Sequence, residues 1–521
     1  MDTKFLIGKG NEPVYINLSK LNRHGFITGA TGSGKTISLK VMAENLSKQG
    51  IPVFLSDIKG DVSSICQEGE INENIAQRVE ANGVEDFEVR KFPVEFFDVF
   101  GDNGIPLRTT ISEMGPILLS RLLGLNDTQE GVLNICFKIA DENGWLLIDI
   151  KDLRSMLNYL ADNSSELSSY YGNISKASVG AILRSLLVLE EQGGDLFFGE
   201  PNFDILDFLR TDSNEQGIIN VLSSEKLFNY PMLYSTFLLW LLSELYENLP
   251  EVGDIDKPKI VFFFDEAHLL FSSPNKSVLE KIELITRLIR SKGVGVFFVT
   301  QKATDIPDNI LAQCGNRIQH ALRAYTPKEQ REIKSIADSF RQVEGQDLVA
   351  EISNLKVGQA VVSVLDEDSK PTFAQVALIN PPESKIGMVD PTLRIQIINN
   401  SSLYEKYGEA IDAQSAYELL NIKKEQDEKD RIEAQKAQEE AKLKEKEQLA
   451  FEKEQERLKK QKEKEQERIQ REEEKEIKRQ AQSSSKRKSG FFDRFTNNVI
   501  GAVGREIGRQ ITRGIFGSRK R

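Results

Sequence analysis

The chain has 521 residues, enough for two or three domains, and a formal net charge of −12. It has no run of 18 or more apolar residues, which argues against a membrane-spanning helix. Its first ten residues lack the apolar core of a signal peptide, and its three cysteines and three histidines show no metal-ligand spacing. We therefore expect a cytosolic protein with reduced thiols and no zinc site.

Charge is distributed unevenly along the chain. Residues 421–480 carry 19 basic and 19 acidic side chains, whereas residues 485–521 carry ten basic and two acidic ones, a net charge of +8. The first 420 residues therefore carry −20. A body this acidic does not by itself favour nucleic-acid binding.

The first motif along the chain is GATGSGKT, residues 29–36, which fits G-x-x-x-x-G-K-[ST] at every fixed position. The apolar run GFIT before it predicts a buried strand, and ISLKVMAENLSKQG after it predicts a helix that ends at a glycine. In this context the backbone N–H groups of the loop turn towards a polyphosphate, and the helix N-terminus adds partial positive charge. We expect this loop to bind ATP through Gly29, Ala30, Thr31, Gly32, Ser33, Gly34, Lys35 and Thr36.

Two side chains of this loop have distinct expected roles. Lys35 should reach the β- and γ-phosphates, and the Thr36 hydroxyl should bind Mg²⁺. A glycine-rich turn with a chance lysine is the alternative, and the flanking strand and helix argue against it.

The pattern that follows predicts an α/β fold. Residues 1–62 give the first part of a P-loop ATPase core, which ends with the strand VFLSD. Helix-like stretches predict a helical insertion over residues 63–215. Strands and helices alternate again over residues 216–395, where continuous apolar strands imply a mostly parallel sheet of the RecA-like (ASCE) type, covered on both faces. The predicted elements of this part are GIINVL, KIVFFF, VGVFFVT and RIQHALRAY as strands, and a β-hairpin over 356–380.

The second strong motif is VFFFDEAHLL, residues 261–270. Its apolar residues predict a buried strand that delivers two carboxylates to the carboxyl edge of the sheet, where open α/β sheets bind ligands. We expect Asp265 to hold Mg²⁺ and Glu266 to orient and polarise the attacking water. A solvent-facing acidic turn is the alternative, and the phosphate loop upstream makes it less favoured.

Other polar strand ends leave alternatives open. Gln301, after VGVFFVT, is a candidate sensor of the γ-phosphate. The segment DIKGD, residues 57–61, suits either the site or a plain strand-to-helix turn. Hydrolysis at an interface between subunits needs a positive charge that the neighbouring subunit supplies. The candidates for this charge are Arg287, Arg290 and Arg317. Each of them could equally belong to a solvated basic face.

Together these motifs resemble the HerA-like ATPases of the FtsK/HerA superfamily, and more narrowly a stand-alone bacterial family of HerA-like helicases. The segments that carry the resemblance include IRSKGVGVFFVTQ and GNRIQHALRAYTP, which are more specific than the phosphate loop. DEAH at residues 265–268 also occurs in superfamily-2 helicases, but the later motifs of that group do not follow it.

The resemblance implies a hexameric ring that threads double-stranded DNA through a pore and hydrolyses ATP between subunits. It implies that Asp265 and Glu266 are the metal-binding and catalytic carboxylates, Gln301 the sensor and Arg290 the trans-acting arginine. Archaeal relatives carry an N-terminal barrel that assists ring assembly and nuclease docking, whereas here the phosphate loop begins at residue 29. Ring formation and a nuclease partner are therefore weaker expectations.

The remainder of the chain is divided by composition. Residues 396–422 are a connector, and residues 423–484 predict a solvated charged helix or a weak coiled coil. Within the basic segment 485–521, residues 499–516 predict an amphipathic helix that docks on protein, lies on an anionic membrane or grips phosphates. The sequence thus favours a DNA motor, with an ATP-dependent switch or scaffold at a membrane surface as the alternative.

Overall fold

The computed structural model describes residues 3–253, 255–271 and 276–483. Its strands form a single twelve-stranded sheet. The strands are β1 (Lys4–Lys9), β2 (Pro13–Asn17), β3 (Gly25–Thr28), β4 (Val53–Asp57), β5 (Val94–Asp98), β6 (Ile105–Pro106), β7 (Ile219–Ser223), β8 (Ile260–Phe264), β9 (Val294–Thr300), β10 (Asn316–His320), β11 (Gln359–Ser363) and β12 (Gln375–Ile379).

Helices connect and cover these strands. They are α1 (Lys35–Lys48), α2 (Glu73–Asn82), α3 (Ile111–Leu122), α4 (Asp127–Asn143), α5 (Ile150–Asp162), α6 (Ser164–Tyr171), α7 (Lys176–Leu189), α8 (Asp195–Phe197), α9 (Pro231–Asn248), α10 (His268–Phe271), α11 (Lys276–Ile289), α12 (Asp308–Leu311), α13 (Pro327–Asp338), α14 (Leu348–Asn354), α15 (Pro391–Asn399), α16 (Ser402–Tyr407) and α17 (Ala416–Ser483).

The sheet is mostly parallel, as predicted. Its order is β2-β1-β12-β11-β10-β3-β9-β8-β4-β7-β5-β6, and every pairing from β10 to β6 is parallel. The predicted hairpin is β11–β12, which pairs antiparallel and extends the sheet on the other side of β10. The predicted P-loop α/β fold is confirmed.

The central strands owe their position to uninterrupted apolar sequence. Every residue of β3, β4, β8 and β9 is buried, which requires cover on both faces of the sheet. The ring of Phe54 on β4 lies 5.1 Å from that of Phe262 on β8 and 5.2 Å from that of Phe208, centroid to centroid. These aromatic contacts fix the middle of the sheet, which carries the polar strand ends described below.

The prediction that residues 63–215 are purely helical is wrong for two strands. β5 and β6 lie inside that range and form one edge of the main sheet, where β5 pairs with β7. The sequence VEFFD conceals this strand, since a proline precedes it and an acid stands on each side of its two phenylalanines. The sequence analysis also missed the N-terminal hairpin of β1 and β2, which joins the sheet through β12.

The chain divides into two compact units, residues 1–425 and 426–521. The sheet belongs to the first. The described part of the second is the continuation of α17 to Ser483, and every side chain from Asn421 to Arg479 is exposed. Among the described helices, none combines the length and the apolar character that crossing a bilayer requires. The predicted basic helix, residues 499–516, lies outside the described residues, and the proposed boundaries near residues 62, 215 and 395 remain proposals.

Candidate nucleotide-binding site

The phosphate loop lies between the end of β3 and the start of α1. Three of its glycines adopt positive φ, with values of 152° at Gly29, 74° at Gly32 and 118° at Gly34. A Cβ atom at Gly29 would come within 2.5 Å of His320 Cβ and 2.7 Å of Ser33 Oγ. Glycine is therefore required at this turn by both conformation and space.

Lys35 is the first residue of α1, and its side chain folds back along the loop. Its Nζ donates hydrogen bonds to the carbonyl oxygens of Gly29 at 2.7 Å and Ala30 at 3.2 Å. Burial lowers the pKa of Lys35 below its ordinary value, and the nearby charge of Glu266 opposes that change. The amine thus stands where the motif requires a cation for a phosphate chain.

Asp265 and Glu266 follow β8 directly and are 94% buried. Burial first, and then the negative charge of Glu266, raise the pKa of Asp265 to about 7. Glu266 has a φ of 46°, a left-handed conformation that is costly for glutamate and is found most often at functional sites. This turn at the end of β8 allows two consecutive acids to lie in one site, although consecutive residues on a strand face opposite ways.

The segment DIKGD, whose role the sequence left open, contributes three separate contacts. Asp57 shapes the turn, because its carboxylate accepts hydrogen bonds from the backbone N–H groups of Gly60 and Ser63. Lys59 Nζ lies 2.5 Å from Oε1 of Glu266. Asp61 Oδ2 accepts a hydrogen bond from the Thr36 hydroxyl at 3.1 Å. Asp61, which the sequence left open between a site role and a plain turn, thus contacts the phosphate loop.

Gln301 lies at the same edge of the sheet. Its backbone oxygen accepts a hydrogen bond from the N–H of Gly29 at 3.2 Å, and its side chain is exposed. The hydroxyl of the preceding Thr300 is committed to Asp305 at 3.1 Å. Of the two polar side chains at this strand end, Gln301 is thus the one turned outward beside the loop.

The arginines proposed to act in trans lie elsewhere. Arg290 follows α11 and precedes β9, so it lies at the amino edge of the sheet, near His24, whose pKa its charge helps to lower. A seven-residue strand separates it from Gln301, a distance of about 20 Å. Arg287 is exposed on α11. Arg317 donates to the carbonyl oxygens of Cys314 and Ser339 and is engaged within its own chain.

His320 is a buried residue behind the loop that the sequence analysis missed. Its Nδ1 lies 2.9 Å from the carbonyl oxygen of Gln359, which only accepts, so Nδ1 carries the proton. Its Nε2 accepts from the hydroxyl of Ser38, on α1, at 2.8 Å. Burial, with a smaller contribution from the charge of Lys35, lowers the pKa of His320 to about 4. A neutral histidine thus supports the phosphate loop and the first turns of α1.

The residues present fit a nucleotide with Mg²⁺. Within the part of the chain that the structure describes, Glu266 Oε2, Asp61 Oδ1 and Ser33 Oγ are buried and make no hydrogen bond, although Nδ1 of His268 lies 3.3 Å from Glu266 Oε2. These oxygens can therefore accept hydrogen bonds from a ligand or its water. Asp61 lines a cavity of about 330 Å³ together with the phosphate loop, Lys59 and Asp265. Among the described residues, no three acidic, histidine or cysteine side chains form a metal cluster. Thr36 and Asp265 would suit Mg²⁺, which takes one or two protein ligands and completes its shell with phosphates and water.

The sequence matches a protein-family model over almost its whole length. The model described as "Helicase HerA-like C-terminal" matches residues 3–521. The chain belongs to the HerA-like helicase family. Its sheet and phosphate loop are accordingly those of a P-loop ATPase, and the predicted family is confirmed.

Individual relatives agree with this assignment. The DNA double-strand break repair helicase HerA of Saccharolobus solfataricus is 25% identical over 369 residues, which are 68% of this chain and 64% of that protein. The protein with the same description from Sulfolobus acidocaldarius is 23% identical over 412 residues, 74% of this chain and 70% of the relative. The match to the first relative thus spans somewhat less than two thirds of its length.

The fold is also similar to a solved structure. The bacterial conjugative coupling protein TrwBdeltaN70 superimposes with a TM-score of 0.50 and 14% sequence identity, covering 75% of this chain and 92% of that chain. At this identity the similarity supports the fold alone.

Two buried histidines make stability depend on pH in a defined direction. The pKa values of His24 and His320 are both lowered from 6.5 to about 4. Between pH 6.5 and 4 the unfolded chain therefore binds more protons than the folded one, and the free energy of unfolding falls as pH falls, by up to about 1.4 kcal/mol per pH unit for each histidine.

The two histidines should contribute about equally to the slope of the free energy of unfolding against pH. We therefore expect His320→Gln to remove about half of their combined contribution, and His24→Gln to remove about the other half. Urea titrations between pH 6.5 and 4.5 on the unaltered chain and both variants measure the difference. Identical slopes in all three proteins would contradict the neutral, buried state of these side chains.

Proposed function

We propose that this chain is an ATP-hydrolysing motor that assembles into a ring and acts on double-stranded DNA. The observation that carries the proposal is the meeting of the phosphate loop with the Asp265–Glu266 pair at one edge of the sheet, in a member of the HerA-like family. The names of the archaeal relatives describe DNA repair helicases. We propose that this chain also acts on DNA.

The loop and its helix bind the nucleotide in this proposal. Backbone N–H groups of residues 29–36 surround the β- and γ-phosphates, and Lys35 exchanges its carbonyl partners for phosphate oxygens. Thr36 and Asp265 hold Mg²⁺, with Asp61 placed to orient the Thr36 hydroxyl. When bound, the metal neutralises charge on the phosphate oxygens.

Glu266 activates the water that attacks the γ-phosphorus. Lys59 Nζ holds Oε1 of this carboxylate. Oε2 lies 3.3 Å from Nδ1 of His268 but makes no hydrogen bond among the described residues, so it is the oxygen that would accept a hydrogen bond from water. Attack forms a new P–O bond and breaks the bond between the β-phosphate oxygen and the γ-phosphorus, which yields ADP and phosphate. Gln301, beside Gly29, is placed to respond to the loss of the γ-phosphate.

Arg290 acts on a neighbouring subunit in this account. It lies at the amino edge of the sheet, about 20 Å from the strand end at its own phosphate loop. In a head-to-tail ring, one edge of a subunit faces a different surface of the next. We propose a hexamer in which Arg290 of one subunit completes the site of another and stabilises charge as the phosphoryl group is transferred.

The first test is the steady-state ATPase rate with double-stranded DNA, single-stranded DNA, RNA or no addition, at two salt concentrations. Duplex DNA should stimulate hydrolysis, and the stimulation should fade with salt because phosphate contacts release counterions. Glu266→Gln should bind ATP but turn over at least about tenfold more slowly, whereas the control Glu280→Gln, an exposed site on α11, should match the unaltered chain.

A rate that is the same with every nucleic acid would contradict the motor. That outcome would favour the switch or scaffold, which the acidic charge of the first 420 residues and the long exposed α17 motivate. Vesicle flotation lost on truncation at Ser485 would then assign the basic segment to a membrane surface.

The trans-acting arginine is tested by mixing two inactive variants. Arg290→Ala keeps an intact site, and Glu266→Gln keeps an intact arginine. In rings assembled from equal amounts of the two variants, about a quarter of the interfaces pair an intact Glu266 with an intact Arg290 from the neighbouring subunit. The ATPase activity should therefore return to about a quarter of that of the unaltered chain. Arg287→Ala, three residues away on α11, is the control and should remain active by itself. No recovery in mixed oligomers would contradict the role of Arg290.

A further inference from the structure

The cavity at the phosphate loop continues into an apolar region that the phosphate chemistry does not use. Beyond the loop it is lined by Ile37, Val357, Ile386 and Gly387. Val357 is 71% exposed and Ile386 is 53% exposed, so two large aliphatic side chains stand in solvent beside a charged site. Exposed apolar side chains that line a polar cavity point to an apolar portion of its ligand.

Ile386 and Gly387 belong to a segment, residues 383–388, that crosses α1, and we call this segment the strap. Glu44, on α1, accepts hydrogen bonds from the N–H groups of Glu383 at 2.8 Å and Ser384 at 3.1 Å, and from the Ser384 hydroxyl at 2.5 Å. The carboxylate is 99% buried, so these three bonds compensate the cost of its burial.

A second buried charge of α1 holds the next residue of the strap. Lys40 Nζ donates to the carbonyl oxygen of Lys385 and to the hydroxyl of Ser64, the latter at 2.8 Å. The N–H of Lys385 in turn donates to the carbonyl oxygen of Gln67 at 2.9 Å. Since α1 starts at the phosphate loop, the strap is fixed to the same helix that binds the phosphates, and Ile386 is positioned before any ligand arrives.

The orientation of a nucleotide follows from the arrangement of strands. β9 and β8, on one side of β3, carry Gln301 and Asp265, the groups expected at the γ-phosphate and the metal. Val357 precedes β11, which lies on the opposite side of β3 beyond β10, and the adjacent Gly358 donates its N–H to the oxygen of Ser33 in the loop at 3.1 Å. A phosphate chain with its γ end towards β8 therefore extends its ribose and base towards Val357, and Ile386 of the strap lines the same cavity.

We propose that Val357 and Ile386 form the nucleobase subsite of this ATPase, with Lys40 and Glu44 as positioning residues that hold the strap in place. This inference rests on the proposed ATP-binding function and deepens it. The base would cover aliphatic surface that is otherwise exposed, which favours binding through apolar contact.

The test compares two ligands that differ by the nucleoside, ATP and inorganic tripolyphosphate, each with Mg²⁺, by calorimetric titration of the full chain. Ile386→Ala should weaken ATP binding by about 5- to 20-fold, because it removes aliphatic surface that the base covers. The Kd for tripolyphosphate should not change, since that ligand has no base. Val357→Ala should behave in the same way.

Ile71→Ala is the matched control, because Ile71 is 60% exposed and does not line the cavity. It should leave both Kd values unchanged. Equal weakening of both ligands by Ile386→Ala would mean that the substitution disturbs the phosphate loop, and no weakening of either would mean that the base lies elsewhere. Each of these results overturns the inference.

Failure of the proposed function gives a different result. If Lys35→Ala bound ATP as tightly as the unaltered chain, the phosphate loop would not be the nucleotide site, and both proposals would fall. If ATP binding depended on Lys35 but Ile386→Ala and Val357→Ala had no effect specific to ATP, only the assignment of the base subsite would fall.

Discussion

The parallel alignment of β3, β9, β8 and β4 is the constraint on which the site depends. Parallel strands end at the same edge, so residues far apart in sequence arrive together: the phosphate loop after β3, Gln301 after β9, the two acids after β8 and Lys59 and Asp61 after β4. Burial of every residue in these strands fixes their register. The apolar interior thus fixes the positions of the polar residues of the site, although it contributes no reactive group itself.

Burial also determines the electrostatics of the site. Burial and the charge of Glu266 raise the pKa of Asp265, while Lys59 holds one oxygen of Glu266 and His268 Nδ1 lies 3.3 Å from the other. Two acids in a buried turn are costly without a compensating cation, and Mg²⁺ with a nucleotide is the group that fits this place. His320, behind the loop, supports it as a neutral hydrogen-bonding group and therefore adds no further charge.

Elements with a local signature were predictable from the sequence, and those made by distant contacts were not. The strands β3, β4, β8 and β9 are short apolar runs bounded by turns, and the phosphate loop and DEAH segment have fixed spacing. By contrast, β5 is recognisable only through its pairing with β7, and the choice between the two roles that the sequence left open for Asp61 needed its hydrogen bond to Thr36, 25 residues earlier. The strap depends on Glu44 meeting Ser384, 340 residues later, which no periodicity encodes.

The most direct test of the central claim is movement along DNA rather than hydrolysis alone. A third strand bound to one end of a linear duplex reports translocation, because a motor that tracks the duplex displaces it without needing to separate the base pairs. With ATP and Mg²⁺, the unaltered chain should displace the third strand, and Glu266→Gln should not, although it binds ATP. Full DNA-stimulated hydrolysis with the third strand left in place would contradict the account.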